Sequence, residues 1–301
     1  MNEQTSRNDQ GSQSDQSDRI TSITREGLVL DVVDEGPLDG EPIVLLHGFP
    51  DRATGWRLVT PILNAAGYRT YALDQRGYAP GARPRRRRDY TMAHLLADTR
   101  ALAESIAAQG RGRSDGKVHL VGHDWGAIPA WLMAIHHPGL VASLTAVSVP
   151  HPQAFLTAMV RSTQALKSWY MLVFQLPFVP EKLLSQPRVS ARLLRGMGMN
   201  EDDLAHFRSD VVDAGALSRG LNWYRAVPLS DPRLTRGQVT VPTTMVWSDE
   251  DPALGRWGAE RTERLVDASY RFVELHGVTH WIPSQAPEAL AEAIIAQAGS
   301  A

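Results

Sequence analysis

Cysteine is absent from all 301 residues, which excludes disulfides, thiolate catalysis and cysteine-bound metal. No apolar run is long enough to span a bilayer, and the N-terminal stretch lacks the apolar core of a signal peptide, so a cytoplasmic protein without a membrane partner is expected. Charge of one sign is not in excess. Lys and Arg number 31 against 33 Asp and Glu, and the net charge of -2 gives no electrostatic reason to expect nucleic acid as a partner. The histidines show no H-E-x-x-H or comparable spacing, so neither a metal nor a cofactor is expected. Residues 1–20 are rich in Ser, Gln, Asn and Asp and nearly devoid of apolar side chains, which predicts a disordered tail.

What is present is an alternation of short apolar runs with segments of helical period, the pattern of an α/β protein with a mostly parallel sheet flanked by helices. Strands are expected at 28–33, 43–46, 69–73, 118–121, 144–149, 243–247 and 270–275, and helices at 91–108, from the 120s to about 136, and at 287–298. The alternation stops after residue 150, and the next strand-like run begins about 90 residues later, too far for a simple connection. The intervening stretch is helical in character and punctuated by prolines at 177, 180, 187 and 228. The expected organisation is therefore a core domain of residues 21–150 and 240–301 with a helical cap, 151–239, inserted between them. The run RPRRRR at 83–88 reads as a solvated loop, because no glycine-rich phosphate cradle lies beside it. Monomer and homodimer are both compatible with the sequence.

Residues 121–127 read VGHDWGA. The spacing of Gly122, Asp124 and Gly126 is that of the G-x-S-x-G nucleophile elbow, in which glycines permit a tight strand-to-helix turn, but an aspartate stands where a serine hydrolase has its serine. A carboxylate with an ordinary pKa of about 3.9 is ionised at neutral pH without help from a base. Its natural target is a saturated carbon bearing a leaving group, and the product is an ester that water must then cleave. That second step needs a histidine base and an oxyanion hole.

The sequence offers each of these parts. Leu46-His47-Gly48-Phe49-Pro50 ends a strand in a turn whose Phe49 N–H, with the Trp125 N–H after the nucleophile, would form the oxyanion hole. His280 lies late in the chain after a Gly turn and completes the order nucleophile, acid, histidine. Its acid is sought in Trp247-Ser248-Asp249-Glu250-Asp251-Pro252, with Asp251 preferred by its position after the strand and Asp249 the alternative. Tyr170 and Tyr224 in the cap supply two phenols that could hydrogen-bond and protonate the oxygen of an opening epoxide, whereas a halide would need no proton. Trp169, Phe174 and Trp223, with Met197 and Met199, are the candidates for an apolar substrate pocket.

From about residue 23 to 298 the chain resembles the epoxide hydrolases of the α/β-hydrolase superfamily, through HGFP at 47–50, DQRGY at 74–78, GHDWG at 122–126, NWYR at 222–225, the Asp251 loop and His280. The resemblance implies an α/β-hydrolase fold, alkylation of Asp124, activation of the epoxide by Tyr170 and Tyr224, hydrolysis driven by the Asp251–His280 pair, and an apolar epoxide and water as reactants. Tyr170 is placed chiefly by its distance from Phe174-Gln175-Leu176-Pro177. Ser248, where glycine is usual, and Thr279 before His280, where Gly-His is more common, depart from the pattern. Two other readings share these residues. Haloalkane and haloacetate dehalogenases use the same aspartate, but the former typically have asparagine where Phe49 stands and the latter usually have arginine where Trp125 stands. A non-catalytic ligand-binding protein of the same fold would usually have lost one of the three central residues.

Overall fold

The computed structural model of the chain describes residues 18–110 and 112–301. The expected tail over 1–20 lies outside them except at its end, where Arg19 pairs with Asp34 and the Ile20 N–H donates to the same carboxylate at 2.8 Å.

Eight strands form one sheet: β1 (Ser22–Arg25), β2 (Leu28–Glu35), β3 (Glu41–Leu46), β4 (Tyr68–Leu73), β5 (Val118–His123), β6 (Val141–Val147), β7 (Thr243–Ser248) and β8 (Tyr270–Leu275), in the order β1-β2-β4-β3-β5-β6-β7-β8. The pairs β1–β2 and β2–β4 are antiparallel and all the others are parallel. The inner parallel strands are covered on both faces, which explains their continuous apolar runs.

Three helices of the first half are α1 (Thr60–Ala65), α2 (Met92–Ala108) and α3 (Ala127–His136). Between β6 and β7 follow α4 (Pro152–Arg161), α5 (Gln164–Lys167), α6 (Tyr170–Gln175), α7 (Val179–Ser185), α8 (Pro187–Gly196), α9 (Glu201–His206), a π-helical stretch (Phe207–Asp213) and α10 (Leu217–Ala226). Last come α11 (Arg256–Arg261), α12 (Ile282–Gln285) and α13 (Pro287–Ala298). Side chains alternate along β3, so Val44 and Leu46 pack with Leu102 of α2 and Trp131 of α3. Ile43 and Leu45 point the other way, against Leu63 of α1 and Ile294 of α13. No helix among the described residues is long and apolar enough to cross a membrane.

Strand β1 and its hairpin were not among the sequence expectations. The two-residue turn carries positive φ at Glu26 and Gly27, 54° and 77°, the geometry that Asn-Gly usually announces; a glutamate in the first place hides the signal. Strand β6 starts and ends earlier than expected because Ser148, at φ 66°, turns the chain out of the sheet. The prolines behave as punctuation: 180, 187 and 228 occupy first turns, where a missing N–H costs little. In the run at 83–88, Arg85 to Arg88 are exposed, as expected of a solvated loop, but Arg83 is half-buried and donates to the Tyr78 and Ala214 carbonyls.

The inserted helices are fastened to the core at several places, among them two beside the end of the sheet where Asp124 lies. On one side, the Trp223 indole donates to the Arg76 carbonyl at 2.8 Å and its ring lies against Tyr78 and His47. On another, the loop after α8 is sutured to the segment before and within α12: Trp281 Nε1 donates to the Met197 carbonyl at 2.9 Å, and Gln285 Nε2 and Thr279 Oγ1 donate to the Gly198 carbonyl at 2.7 and 3.3 Å. Within the insertion, Arg225 forks onto Glu181 and also donates to the Phe174 and Leu176 carbonyls, holding α6, α7 and α10 as a unit.

The register pairs Leu46 of β3 with Gly122 of β5, so the turn entering α3 lies directly against the end of β3. A Cβ on Gly126 would stand 2.0 Å from the Leu46 carbonyl oxygen, a backbone atom that cannot step aside, whereas one on Gly139 would meet nothing within 4 Å. Gly126→Ala is therefore expected to lower the unfolding free energy by about 1–3 kcal/mol. Gly139→Ala should stay within about 0.5 kcal/mol of the parent, both measured by urea titration.

Candidate active site

Asp124 sits immediately after β5 with φ 50°, a left-handed conformation that is rare outside glycine and that lifts its carboxylate out of the sheet edge. Space for the turn exists because its neighbours are glycines. A Cβ on Gly122 would meet the Gly126 carbonyl at 2.4 Å, and one on Gly48 would meet Asp124 Cβ at 2.3 Å. The open approach at Gly48 lets the next residue deliver its backbone: the Phe49 N–H donates to Asp124 Oδ1 at 2.8 Å. Trp125, the second expected donor, is the middle residue of the 3-10 turn Asp124–Gly126 that leads into α3.

The other carboxylate oxygen, Oδ2, faces His280 Nε2 at 3.4 Å. The far nitrogen of that ring, Nδ1, lies 2.7 Å from Asp251 Oδ2. Asp251 is held for this contact by the loop after β7, where its Oδ1 accepts from the N–H groups of Ala253 and Leu254 at 2.7 and 2.8 Å, leaving Oδ2 for the histidine. Asp249 points elsewhere, to His276 at 2.8 Å on the surface. The alternative left open by the sequence thus resolves geometrically in favour of Asp251.

Burial opposes every charge here, and the local partners decide the outcome. For Asp124, burial raises the pKa, but the hydrogen bond and charge of His280, with the Phe49 N–H, outweigh it, so the carboxyl is held below its ordinary value. For His280, burial lowers the pKa, but Asp251 and Asp124 on its two sides push it up to about 10. His123, buried and next to the charged ring, is driven down to about 4 and is neutral; its Nε2 donates to the His280 carbonyl at 2.9 Å.

Tyr170 at the start of α6 and Tyr224 in α10 line the same cavity as Asp124. Burial, then neighbouring negative groups including Asp124, raise both phenols above their ordinary value, so both hold their protons at neutral pH. Tyr224 is boxed by Phe49, Trp125 and Phe174 at ring-centre distances of 5.3, 4.9 and 4.9 Å, and meets Tyr170 at 6.2 Å.

The expected pocket residues need correction. Trp169 is 59% exposed on the outer surface. Trp223 is buried against Tyr78 and His47, because its indole N–H is committed to the Arg76 carbonyl. Phe174 packs on Tyr224 and Phe49 and does not line the cavity, and Met199 lines a different, smaller one of about 20 Å³ with Asp51, His123 and Trp281. The cavity at Asp124 is walled by Met92, Ile128, Val149, Phe155, Leu156, Met171, Val227 and Leu254. These come from segments distant in sequence, and only the sheet topology brings them together. Sequence reading also passed over residues that position the histidine and its acid. Ser148 Oγ donates to the His280 carbonyl at 3.2 Å, and Gln164 and Lys167 of α5 reach the Asp251 loop. His123 at least carries a signal, since it lies inside the elbow motif.

Comparison with known proteins agrees with this geometry. Residues 43–293 match the model of the alpha/beta hydrolase family. The AB hydrolase superfamily protein YfhM of Bacillus subtilis is 32% identical over 91% of this chain and 95% of its own length. Epoxide hydrolase 2 of Caenorhabditis elegans is 30% identical over 88% of this chain and 76% of its own. The crystal structure of epoxide hydrolase A from Mycobacterium thermoresistibile superposes with a TM-score of 0.76 at 27% identity, covering 92% of this chain and 96% of that one. With its mostly parallel eight-stranded sheet, its aspartate at the turn after β5 and its histidine after β8, the chain belongs to the alpha/beta hydrolase family.

Proposed function

We propose that this hydrolase opens epoxides to vicinal diols through an ester on Asp124, with residues 151–239 acting as the cap that closes the site. The observation that carries the reading is the meeting of an ionised aspartate and two protonated phenols in one apolar cavity. An epoxide needs a nucleophile at carbon and an acid at oxygen, and this cavity supplies both. A halide leaving group would leave the phenols without a task. The relatives named epoxide hydrolases support the same reading.

In the first step Asp124 Oδ2, the oxygen not engaged by Phe49, attacks a ring carbon. The C–O bond breaks, and the oxygen takes a proton from the tyrosine pair. Esterification removes one of the two carboxylates that flank His280, so its pKa falls. The proton it then sheds balances the one the phenols gave up. In the second step neutral His280 takes a proton from water while the hydroxyl adds to Asp124 Cγ; negative charge collects on Oδ1, to which the Phe49 N–H donates, with the Trp125 N–H as the proposed second donor. Collapse of the tetrahedral centre expels the diol oxygen, which takes its proton from His280; the carboxyl left on Asp124, with one oxygen from water, then passes its proton to His280, restoring the carboxylate and the imidazolium. Asp251 orients the imidazole and stabilises its charged form.

His280→Gln is expected to consume one equivalent of epoxide and stall, giving an intact-mass increase equal to the epoxide and localised to Asp124. A fully folded variant that shows no adduct contradicts the ester mechanism. Tyr170→Phe and Tyr224→Phe should each slow single-turnover ester formation by about 100-fold or more.

The histidine also sets a pH signature on stability. Its pKa is raised on folding, from about 6.5 to about 10, so its contribution is complete below pH about 6.5 and disappears as pH rises through 10. The stability gap between the parent and His280→Gln in urea titrations should therefore be widest at pH 6 and shrink toward pH 10.

A further inference from the structure

The cavity at Asp124 has a volume of about 110 Å³. That is of the order of the apolar cavity, about 150 Å³, that accepts a single benzene ring. Its wall includes no lysine, arginine or histidine, and its one charged group is the Asp124 carboxylate itself. Cations of the neighbouring helices are committed elsewhere: Lys167 to the Asp251 carbonyl, and Arg225 to Glu181 and two backbone carbonyls. A second carboxylate brought into this space would lose its water, meet a like charge and find the nearest cation, His280, already flanked by Asp124 and Asp251. Behind Tyr224, Phe49 and Phe174 meet each other at 5.5 Å and both meet the Tyr224 ring, so aromatic carbon fills the far side of the phenol and the cavity does not extend past it.

Resting on the epoxide reading above, we infer that the site takes uncharged epoxides with one ring-sized or short alkyl substituent on a single carbon. It rejects epoxides that carry a carboxylate or a large group on each carbon, and Phe174 is the side chain that enforces the second exclusion. Phe174 belongs to the specificity of the site and not to its chemistry, since it touches Tyr224 only through the face and edge of its ring.

The test compares kcat/KM for styrene oxide, for 5,6-epoxyhexanoate beside its neutral amide, and for trans-stilbene oxide, with the parent enzyme and with Phe174→Ala and Phe174→Leu. Styrene oxide and the amide should be turned over, and the carboxylate at least about 100-fold less efficiently than its amide, because the buried charge is left unpaired. Trans-stilbene oxide should be refused by the parent and gain at least about tenfold in Phe174→Ala, with styrene oxide changed less. Comparable turnover of the carboxylate and its amide, or parent activity on trans-stilbene oxide matching that on styrene oxide, overturns the inference using the parent enzyme alone. If none of these epoxides is hydrolysed and none adds its mass to Asp124 in His280→Gln, it is the epoxide reading itself that fails.

Discussion

One backbone angle organises the site. Asp124 holds φ at 50°, a conformation that costs a side-chain-bearing residue about 1–3 kcal/mol, and every feature around it either relieves that crowding or exploits it. Gly122 and Gly126 leave room for the turn, and Gly48 leaves room for the carboxylate. The parallel pairing of β3 with β5 sets the Phe49 N–H beside the exposed oxygen. Were the turn relaxed, the carboxylate would fall back toward the sheet edge and lose both Phe49 and His280.

Charge is the second constraint. Two carboxylates flank one imidazolium in a space from which water is largely excluded, so the resting site carries excess negative charge that only hydrogen bonds can disperse. The inserted helices answer this with neutral groups. Tyr170 and Tyr224 present protons without adding charge, and His123 stays neutral because His280 beside it is not. The arginine nearest in sequence to Tyr224 spends its donors on Glu181 and backbone carbonyls, which builds the insertion and leaves the imidazolium the only cation facing Asp124.

The grouping of the candidate site residues was legible in the sequence because they sit in short motifs with fixed local geometry: an elbow, a Gly-containing turn after a strand, an acid loop before Pro252, a histidine after the last strand. Even Asp251 against Asp249 needed the structure, since both are loop carboxylates and only the Ala253 and Leu254 N–H bonds distinguish the one held inward. The parallel strands were legible too, being buried on both faces. The wall of the cavity was not. Aromatic content singled out Trp169 and Trp223, yet Trp169 faces solvent and Trp223 is buried away from Asp124, while the true wall is assembled from Met92, Ile128, Val149 and Leu254, four ordinary apolar residues far apart in the chain. Periodicity says which face of a helix is buried and not what that face meets. The β1–β2 hairpin was lost for a local reason, a glutamate in a turn position where asparagine advertises itself.

The three bonds that join residues 197 and 198 to Thr279, Trp281 and Gln285 bear on how reactants come and go. They bracket His280, so an insertion that swung open along that seam would carry His280 away from Asp124. The border where Phe155 and Leu156 of α4 and Met171 of α6 reach the cavity is tied as well, because Gln164 and Lys167 of α5 bond the Asp251 loop, so both edges of the insertion lean on the acid or the histidine of the site.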